Sequence, residues 1–409
     1  MRERWIWRAG FGFLLALAGC GKPVAGGAGP SPLAPTAAQA PAPVAASAGT
    51  ECASSAQGLD PTLRLAQAYA RRFQIGVAIN GSVYEQRDPA AAALVAAQFN
   101  RVTPENELKW QSLEKQPGLL DFTQADAFVA YAEQHGMEIH GHALVWHHQV
   151  PKWVFENDAG EPATREQLLQ RLERHMAALA THYGSRIKYW DVVNEAFNDD
   201  GSLRDTPWRQ ILGDDYLEHV FRLADEHFPD AKLVYNDFSL EKPAKRDAVV
   251  SLVRDFKARG VRIDAIGTQS HFQLEAPTLE AIDQALSAFA GAGVEVLVSE
   301  LDVDVLPPAY KNQGADLSLN AELSAQLNPY AECLPSDVAA RAAQRWADIF
   351  AVFSRHADHL HSVTLWGVSD KYSWLNNWPV RGRTNYALLF DRELRPKQSW
   401  QRVIEVASR

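Results

Sequence analysis

The stretch Lys188-Tyr189-Trp190-Asp191-Val192-Val193-Asn194-Glu195 is a short apolar run that ends in a carboxylate, and Val296-Leu297-Val298-Ser299-Glu300 repeats the form about a hundred residues later. Each reads as a buried β-strand with a glutamate at its exit. A carboxylate there is costly unless it meets water, a partner or a ligand. Two of them converging on one mouth would make an acid/nucleophile pair for cleaving a glycosidic bond.

Working outward from these two runs, six more apolar segments have the same character. The eight predicted strands are 73–80, 99–105, 138–146, 187–195, 232–238, 263–271, 295–302 and 362–370. Helical patterns fall between them, near 88–99, 123–135, 164–183, 215–228, 244–259, 278–290 and 337–356. The clearest begins at Thr164, which forms a capping box with Gln167 ahead of the periodic Leu168, Leu172, Met176 and Leu179. Alternation of strand and helix is the pattern of an α/β fold with parallel strands. Eight such units in one chain predict a (β/α)8 TIM barrel, whose active site lies at the C-terminal ends of its strands. An open doubly wound sheet would be expected to show a G-x-G-x-x-G turn after its first strand, and Ile79-Asn80-Gly81-Ser82-Val83 does not have one.

The 409 residues carry a formal net charge of −10, which argues against nucleic acid as the main partner. Arg2, Arg4 and Arg8 precede an apolar stretch, Ala9 to Gly19, that is shorter than the roughly 20 residues needed to span a bilayer. Residues 1–19 therefore read as an export signal, and Leu17-Ala18-Gly19-Cys20 resembles the lipobox of bacterial lipoproteins, with Cys20 the lipid-bearing residue. That resemblance implies an envelope protein anchored through its N-terminus, expected at the outer membrane or cell surface because Gly21 stands where an aspartate would signal inner-membrane retention; the alternative is an ordinary secretory signal and a secreted protein. Residues 20–58 are rich in Ala, Pro and Gly and poor in large apolar side chains, so they read as a disordered tether of about 35 Å r.m.s. span. The single catalytic domain is expected over 59–409. Cys52 and Cys333 remain, and their spacing leaves open whether they pair.

The strand exits collect polar and aromatic residues: Glu105, Asn106 and Lys109; His140, His142 and Trp146; Asn194 and Glu195; Asn236-Asp237-Phe238; Gln269-Ser270-His271; Glu300 and Asp302; Trp366, with Trp374 beyond. Sugars offer hydroxyl edges and C–H faces, and this mixture suits both. Six motifs carry a resemblance to glycoside hydrolase family 10, the endo-β-1,4-xylanases, over about 60–405. They are Pro104-Glu105-Asn106-Glu107-Leu108-Lys109-Trp110, Gly141-His142-Ala143-Leu144-Val145-Trp146-His147, Trp190-Asp191-Val192-Val193-Asn194-Glu195-Ala196, Gln269-Ser270-His271, Ser299-Glu300-Leu301-Asp302 and Leu365-Trp366-Gly367-Val368-Ser369-Asp370.

The resemblance implies hydrolysis of xylan and xylo-oligosaccharides by a monomeric enzyme through a retaining double displacement, with no cofactor and no metal. Glu195 would be the general acid/base, its pKa raised by the charge of Glu300, and Glu300 the nucleophile, with His271 and Asp302 holding it ionised. Asn194 would donate to the sugar 2-hydroxyl. Glu105, Asn106, Lys109, His142 and Gln269 would bind sugars on the non-reducing side, walled by Trp146, Trp366 and Trp374. The two last tryptophans would crowd the place of a glucose hydroxymethyl group and so favour xylose. Phe238 stands where Tyr often stacks on the leaving-group side, Ala143 and Ser299 where Thr is frequent, and Leu108 where Met is frequent. A long polar insertion, Pro307 to Pro335, follows the seventh strand at the mouth.

Three other readings compete. A cellulase or mannanase of the same barrel clan would share both glutamates. A non-catalytic glycan-binding lipoprotein would be expected to lack one of them. A zinc hydrolase would exploit His140-x-His142, but an amidohydrolase barrel carries its His pair on the first strand. The lipobox reading predicts that Cys20→Ala releases the protein from the membrane fraction or stalls its processing while the barrel stays active. Unchanged membrane retention of the mature variant would contradict it.

Overall fold

Closure of the sheet comes from the pairing of Ala265–Thr268 with the first half of Glu295–Asp304, and that closure brings the two glutamate-ended strands to one mouth. The computed structural model describes residues 52–53, 62–308 and 326–409. The signal, Cys20, nearly all of the tether and the middle of the 307–335 insertion lie outside the described residues.

Nine strands are present among the described residues: β1 (Gln74–Ile79), β2 (Arg101–Pro104), β3 (Glu138–Gly141), β4 (Tyr189–Asn194), β5 (Lys232–Asp237), β6 (Ala265–Thr268), β7 (His271–Gln273), β8 (Glu295–Asp304) and β9 (Leu360–Leu365). All ladders are parallel. The ring runs β1-β2-β3-β4-β5-β6-β8-β9 and back to β1, so it has eight staves. β7 lies outside the ring, paired with the far end of β8 through His271↔Asp302. This is the expected (β/α)8 barrel.

The helices follow the sequence pattern closely. Arg165–Tyr183 opens on the Thr164/Gln167 capping box, with Leu168, Leu172, Met176 and Leu179 buried. Pro89–Gln98 is capped by the Asp88 side chain, which accepts from the Ala91 amide. The strands have two apolar audiences. Outward residues such as Ile75, Val77, Val192 and Ile266 join the core beneath the helices, and Tyr189, Val234, Ala265 and Leu297 form a separate cluster. At about 1.5–3 kcal/mol for each fully buried large apolar side chain, these layers supply the main driving force.

Three expectations about strand limits are corrected, and the eighth run, 362–370, ends as a strand at Leu365. The sixth predicted run, 263–271, is two strands, because the chain turns at Ser270 (φ 61°) and leaves β6 for a new partner. The third, 138–146, leaves the regular ladder after Gly141, where a Cβ would meet the Trp190 ring at 2.3 Å, and rejoins β4 through backbone hydrogen bonds of Leu144 and Val145, with a bridge at Val145↔Val193.

The described ends of the insertion are tied to the barrel. Arg383, 3% exposed, donates to the carbonyls of Pro307 (2.9 Å) and Leu327 (3.0 Å), and the Thr384 amide to Asn328. Cys52 and Cys333 form a disulfide, Cα atoms 5.8 Å apart, beside a backbone hydrogen bond from Ala53 to Leu334. Removing the bridge frees the unfolded chain, so the Cys52→Ser/Cys333→Ser protein should melt a few degrees lower, for a loss of about 2 kcal/mol. An unchanged melting temperature under non-reducing conditions would contradict this.

Candidate active site

Both glutamates occupy irregular backbone. The β4–β5 register shifts between Asp191 and Val193, and Glu195 itself has φ 61°. On β8 the register with β9 shifts between Val298 and Leu301, so Glu300 lies within the irregularity. Such bulges re-aim a side chain at the rim of a barrel.

Glu300 is 5% exposed and has partners on both oxygens. Asn236 Nδ2 donates to its Oε1 at 2.8 Å, and His271 Nε2 lies 3.3 Å from its Oε2. The other ring nitrogen of His271 meets Asp302 Oδ2 at 3.1 Å, an oxygen that also accepts from Trp374 Nε1 at 2.7 Å. Burial pushes the Glu300 pKa up, but the His271 hydrogen bond, the neighbouring imidazoles and Asn236 outweigh it and hold the carboxyl below its ordinary value. For His271 the balance runs the other way. Burial opposes its charge, while Asp302 and Glu300 carry its pKa up to about 10. Each partner thus favours the ionised form of the other.

Glu195 is held by three donors: Trp146 Nε1 to Oε2 at 3.0 Å, and Gln269 Nε2 and Asn194 Nδ2 to Oε1 at 3.0 and 3.3 Å. Asn194 Oδ1 in turn accepts from Gln269 (3.2 Å) and Asn236 (3.0 Å). A continuous hydrogen-bonded path therefore runs Glu195–Gln269–Asn194–Asn236–Glu300. Ser299 Oγ donates to Asn236 Oδ1 at 2.6 Å, and Gly267 leaves room for that amide, since a Cβ there would lie 2.4 Å from the same oxygen.

The remaining predicted residues border this pair. Lys109, 7% exposed, donates to Asn106 Oδ1 (3.2 Å) and Gln149 Oε1 (2.7 Å) and sits 4.9 Å from the Trp146 ring centroid. Burial pulls its pKa down to about 8 against the surrounding carboxylates, among which Glu300 and Glu195 act most strongly. Glu105 accepts from Asn80, and burial pushes its pKa up to about 7. His142 Nδ1 is engaged by Asp191 at 2.8 Å, which leaves Nε2 as the nitrogen available to a ligand. Trp366 is half-buried with its ring edge-on to His142 and His271.

Phe238 is 3% exposed, with Lys245 Nζ 3.7 Å from its ring centroid.

Several residues of the site carried no role in the sequence reading. Asp191 bridges His140 and His142, and the two imidazoles overcome its burial to bring its pKa down to about 2. Trp208 Nε1 donates to the Trp146 carbonyl at 2.8 Å. From the sequence, Asn236 is only a polar strand end. The available signal was a polar side chain inside an otherwise apolar strand run, at Asp191 and Asn236 alike.

The geometry is that of two carboxylates in different surroundings, joined by a chain of amides and bordered by tryptophans and one buried lysine. Comparison with known proteins agrees. The model of Glycosyl hydrolase family 10 matches residues 64–406. Endo-1,4-beta-xylanase A of Xylanibacter ruminicola is 41% identical over 346 residues, 85% of this chain and 93% of that protein. Among solved structures, a GH10 endoxylanase retrieved from sugarcane soil metagenome superposes with a TM-score of 0.80 at 40% identity, covering 84% of this chain and 99% of that one. A mutant solved in complex with xylotriose gives 0.74 at 32% identity, covering 84% and 100%.

If His271 holds Glu300 ionised, His271→Asn should move the acid limb of the kcat/KM profile to higher pH by about one unit, because Glu300 then protonates more readily. An unmoved limb would contradict it. The pair has a matching effect on stability. His271 is raised above its ordinary 6.5, so its contribution is complete below about pH 6.5 and is lost as pH rises through about 10.

Proposed function

This chain belongs to glycosyl hydrolase family 10 and is an endo-1,4-β-xylanase, and from that premise we propose that Glu300 is its nucleophile and Glu195 its acid/base. The observation that carries the assignment is the asymmetry of the pair. Glu300 is buried against an imidazolium that an aspartate orients, while Glu195 is half-buried and aimed by neutral donors.

The reaction follows from those positions. The Glu300 carboxylate attacks the anomeric carbon of the xylose at the cleavage point, the glycosidic C–O bond breaks, and the Glu195 proton passes to the leaving oxygen. A water then gives a proton to Glu195 and attacks the same carbon, and the glycosyl ester breaks to return Glu300 as a carboxylate. Two inversions give net retention. Asn194, already donating to Glu195 and accepting from Asn236, is the amide poised for the 2-hydroxyl, where hydrogen bonds strengthen as the oxocarbenium-like transition state forms.

Glu105, Asn106, Lys109, His142 and Gln269 are the polar contacts for xylose units on the non-reducing side, with Trp146, Trp366 and Trp374 as walls. A buried lysine with its charge directed at this cleft suits sugar hydroxyls, to which it donates without needing a counter-ion in the ligand. The substrate is xylan, in line with the xylanase relatives.

For the N-terminus we propose export and lipid attachment at Cys20, the rest of 20–58 acting as a tether to an outer-membrane or surface location. The support is the sequence itself: an arginine-led apolar stretch ending in Leu17-Ala18-Gly19-Cys20. One acyl chain alone anchors only marginally, so several are required for stable attachment. We read the enzyme as a monomer.

The roles are separable by leaving group. Glu300→Gln should lose nearly all turnover of both xylan and activated aryl xylosides. Glu195→Ala should lose about 10²-fold or more on xylan, yet form the glycosyl-enzyme quickly from an aryl glycoside with a good leaving group, giving a burst and then slow turnover. Azide, which needs no base, should restore turnover with retention. Equal losses on both substrates in both variants, with no burst and no rescue, would overturn the assignment.

A further inference from the structure

Glu195 is held in the left-handed region, φ 61°, a conformation that is strained for a residue with a Cβ and persists only where its surroundings fix it. The surroundings here come largely from one strand. The amide of Glu195 donates to the Asn236 carbonyl at 2.9 Å. The next two amides turn to side chains instead: Ala196 N donates to the Tyr235 hydroxyl at 3.1 Å, and Phe197 N reaches Asp237 Oδ2 at 3.4 Å. On the other side of the turn, Arg204 Nε donates to the Glu195 carbonyl at 3.2 Å.

Strand alternation makes this possible. On β5, Tyr235 and Asp237 share one face and Asn236 takes the other. The same three residues therefore hold the nucleophile by a side chain and the acid/base by its backbone.

The Tyr235 hydroxyl has one proton to donate, and it goes to Asp237 Oδ2 at 2.6 Å, which orients a lone pair toward the Ala196 amide. Burial, together with the adjacent Asp237 charge, drives the Tyr235 pKa far upward, so the phenol stays a donor. Asp237 is fixed in turn by Lys245 Nζ, 2.7 Å from Oδ1, and both are fully buried. Burying an ion pair is weak stabilisation at best, and hydrophobic replacements commonly do as well. The substrate-binding and bond-breaking steps above make no use of this pair.

We propose that Tyr235, locked by the Asp237–Lys245 pair, is a positioning residue for the acid/base: its hydroxyl holds the left-handed turn that aims the Glu195 carboxyl at the glycosidic oxygen. The inference rests on Glu195 being the acid/base. It assigns Tyr235 no contact with substrate.

The test is the dependence of kcat/KM on leaving group, which reports the first chemical step, for a series of aryl β-xylobiosides running from dinitrophenyl to phenyl. Tyr235→Phe removes only the hydroxyl. It should leave the dinitrophenyl substrate within about twofold of wild type, because that bond needs little protonation, and lose about tenfold or more on the phenyl substrate and on xylan through misaimed proton transfer. The loss should fall on kcat, with KM within about twofold. A general structural defect would instead lower all substrates together. Asp237→Asn, which keeps the shape and removes the charge that orients the hydroxyl, should steepen the dependence in the same sense and serves if Tyr235→Phe does not fold.

Glu195→Ala measured alongside separates the two layers of argument. If Glu195→Ala is steep and both β5 variants are uniform across the series or unchanged, the positioning role is overturned and the acid/base assignment stands. If Glu195→Ala is itself uniform, the acid/base assignment fails. Steep dependence in all three supports the proposal.

Discussion

A negative charge kept 95% out of water at the mouth of the barrel, on Glu300, is the constraint around which this site is arranged. An isolated carboxylate in that position would simply protonate. His271, itself charged because it lies between Glu300 and Asp302, prevents this from one side, and Asn236 from the other. Other features serve those partners in turn. Trp374 fixes Asp302, Ser299 fixes Asn236, and the absent side chain of Gly267 leaves the space in which Asn236 turns. Even β7, the short strand outside the ring, has its place here, since its pairing with β8 sets His271 opposite Asp302.

The second carboxylate differs in kind. Glu195 is more exposed and is held by donors without formal charge, which supports the acid/base role proposed for it. The path through Gln269, Asn194 and Asn236 joins the two, and β5 contributes to both ends of it. This coupling follows from the closed ring, which places β4, β5, β6 and β8 side by side.

Much of the fold was legible in the sequence because its signals are local. Apolar runs gave the eight staves, and the cap at Thr164 located a helix start to within one residue. Breaks that depend on a change of partner were not legible. The separation of β7 from β6 needs the turn at Ser270 and a new neighbour on β8. The final helix, Gln398–Ala407, went unread: its N-cap is Lys397, whose side chain makes no capping hydrogen bond, so the usual start signal is missing. In the site, the glutamates stood out as charges ending apolar strands. The roles of Tyr235, Asp191 and Trp208 did not, because each acts on a partner 39 to 62 residues away. The cysteines lie 281 residues apart, a separation from which no pairing can be read.

The central claim is that Glu300 forms the covalent bond to the sugar. It is tested most directly with a 2-deoxy-2-fluoro xylobioside bearing a dinitrophenolate leaving group, since the fluorine slows both steps and the leaving group spares the first, so the intermediate accumulates. The account predicts one equivalent of sugar on the intact protein and, after peptic digestion and mass spectrometry, an ester on Glu300. A label on Glu195 or another residue, or prompt hydrolysis with inversion and no adduct, would contradict it.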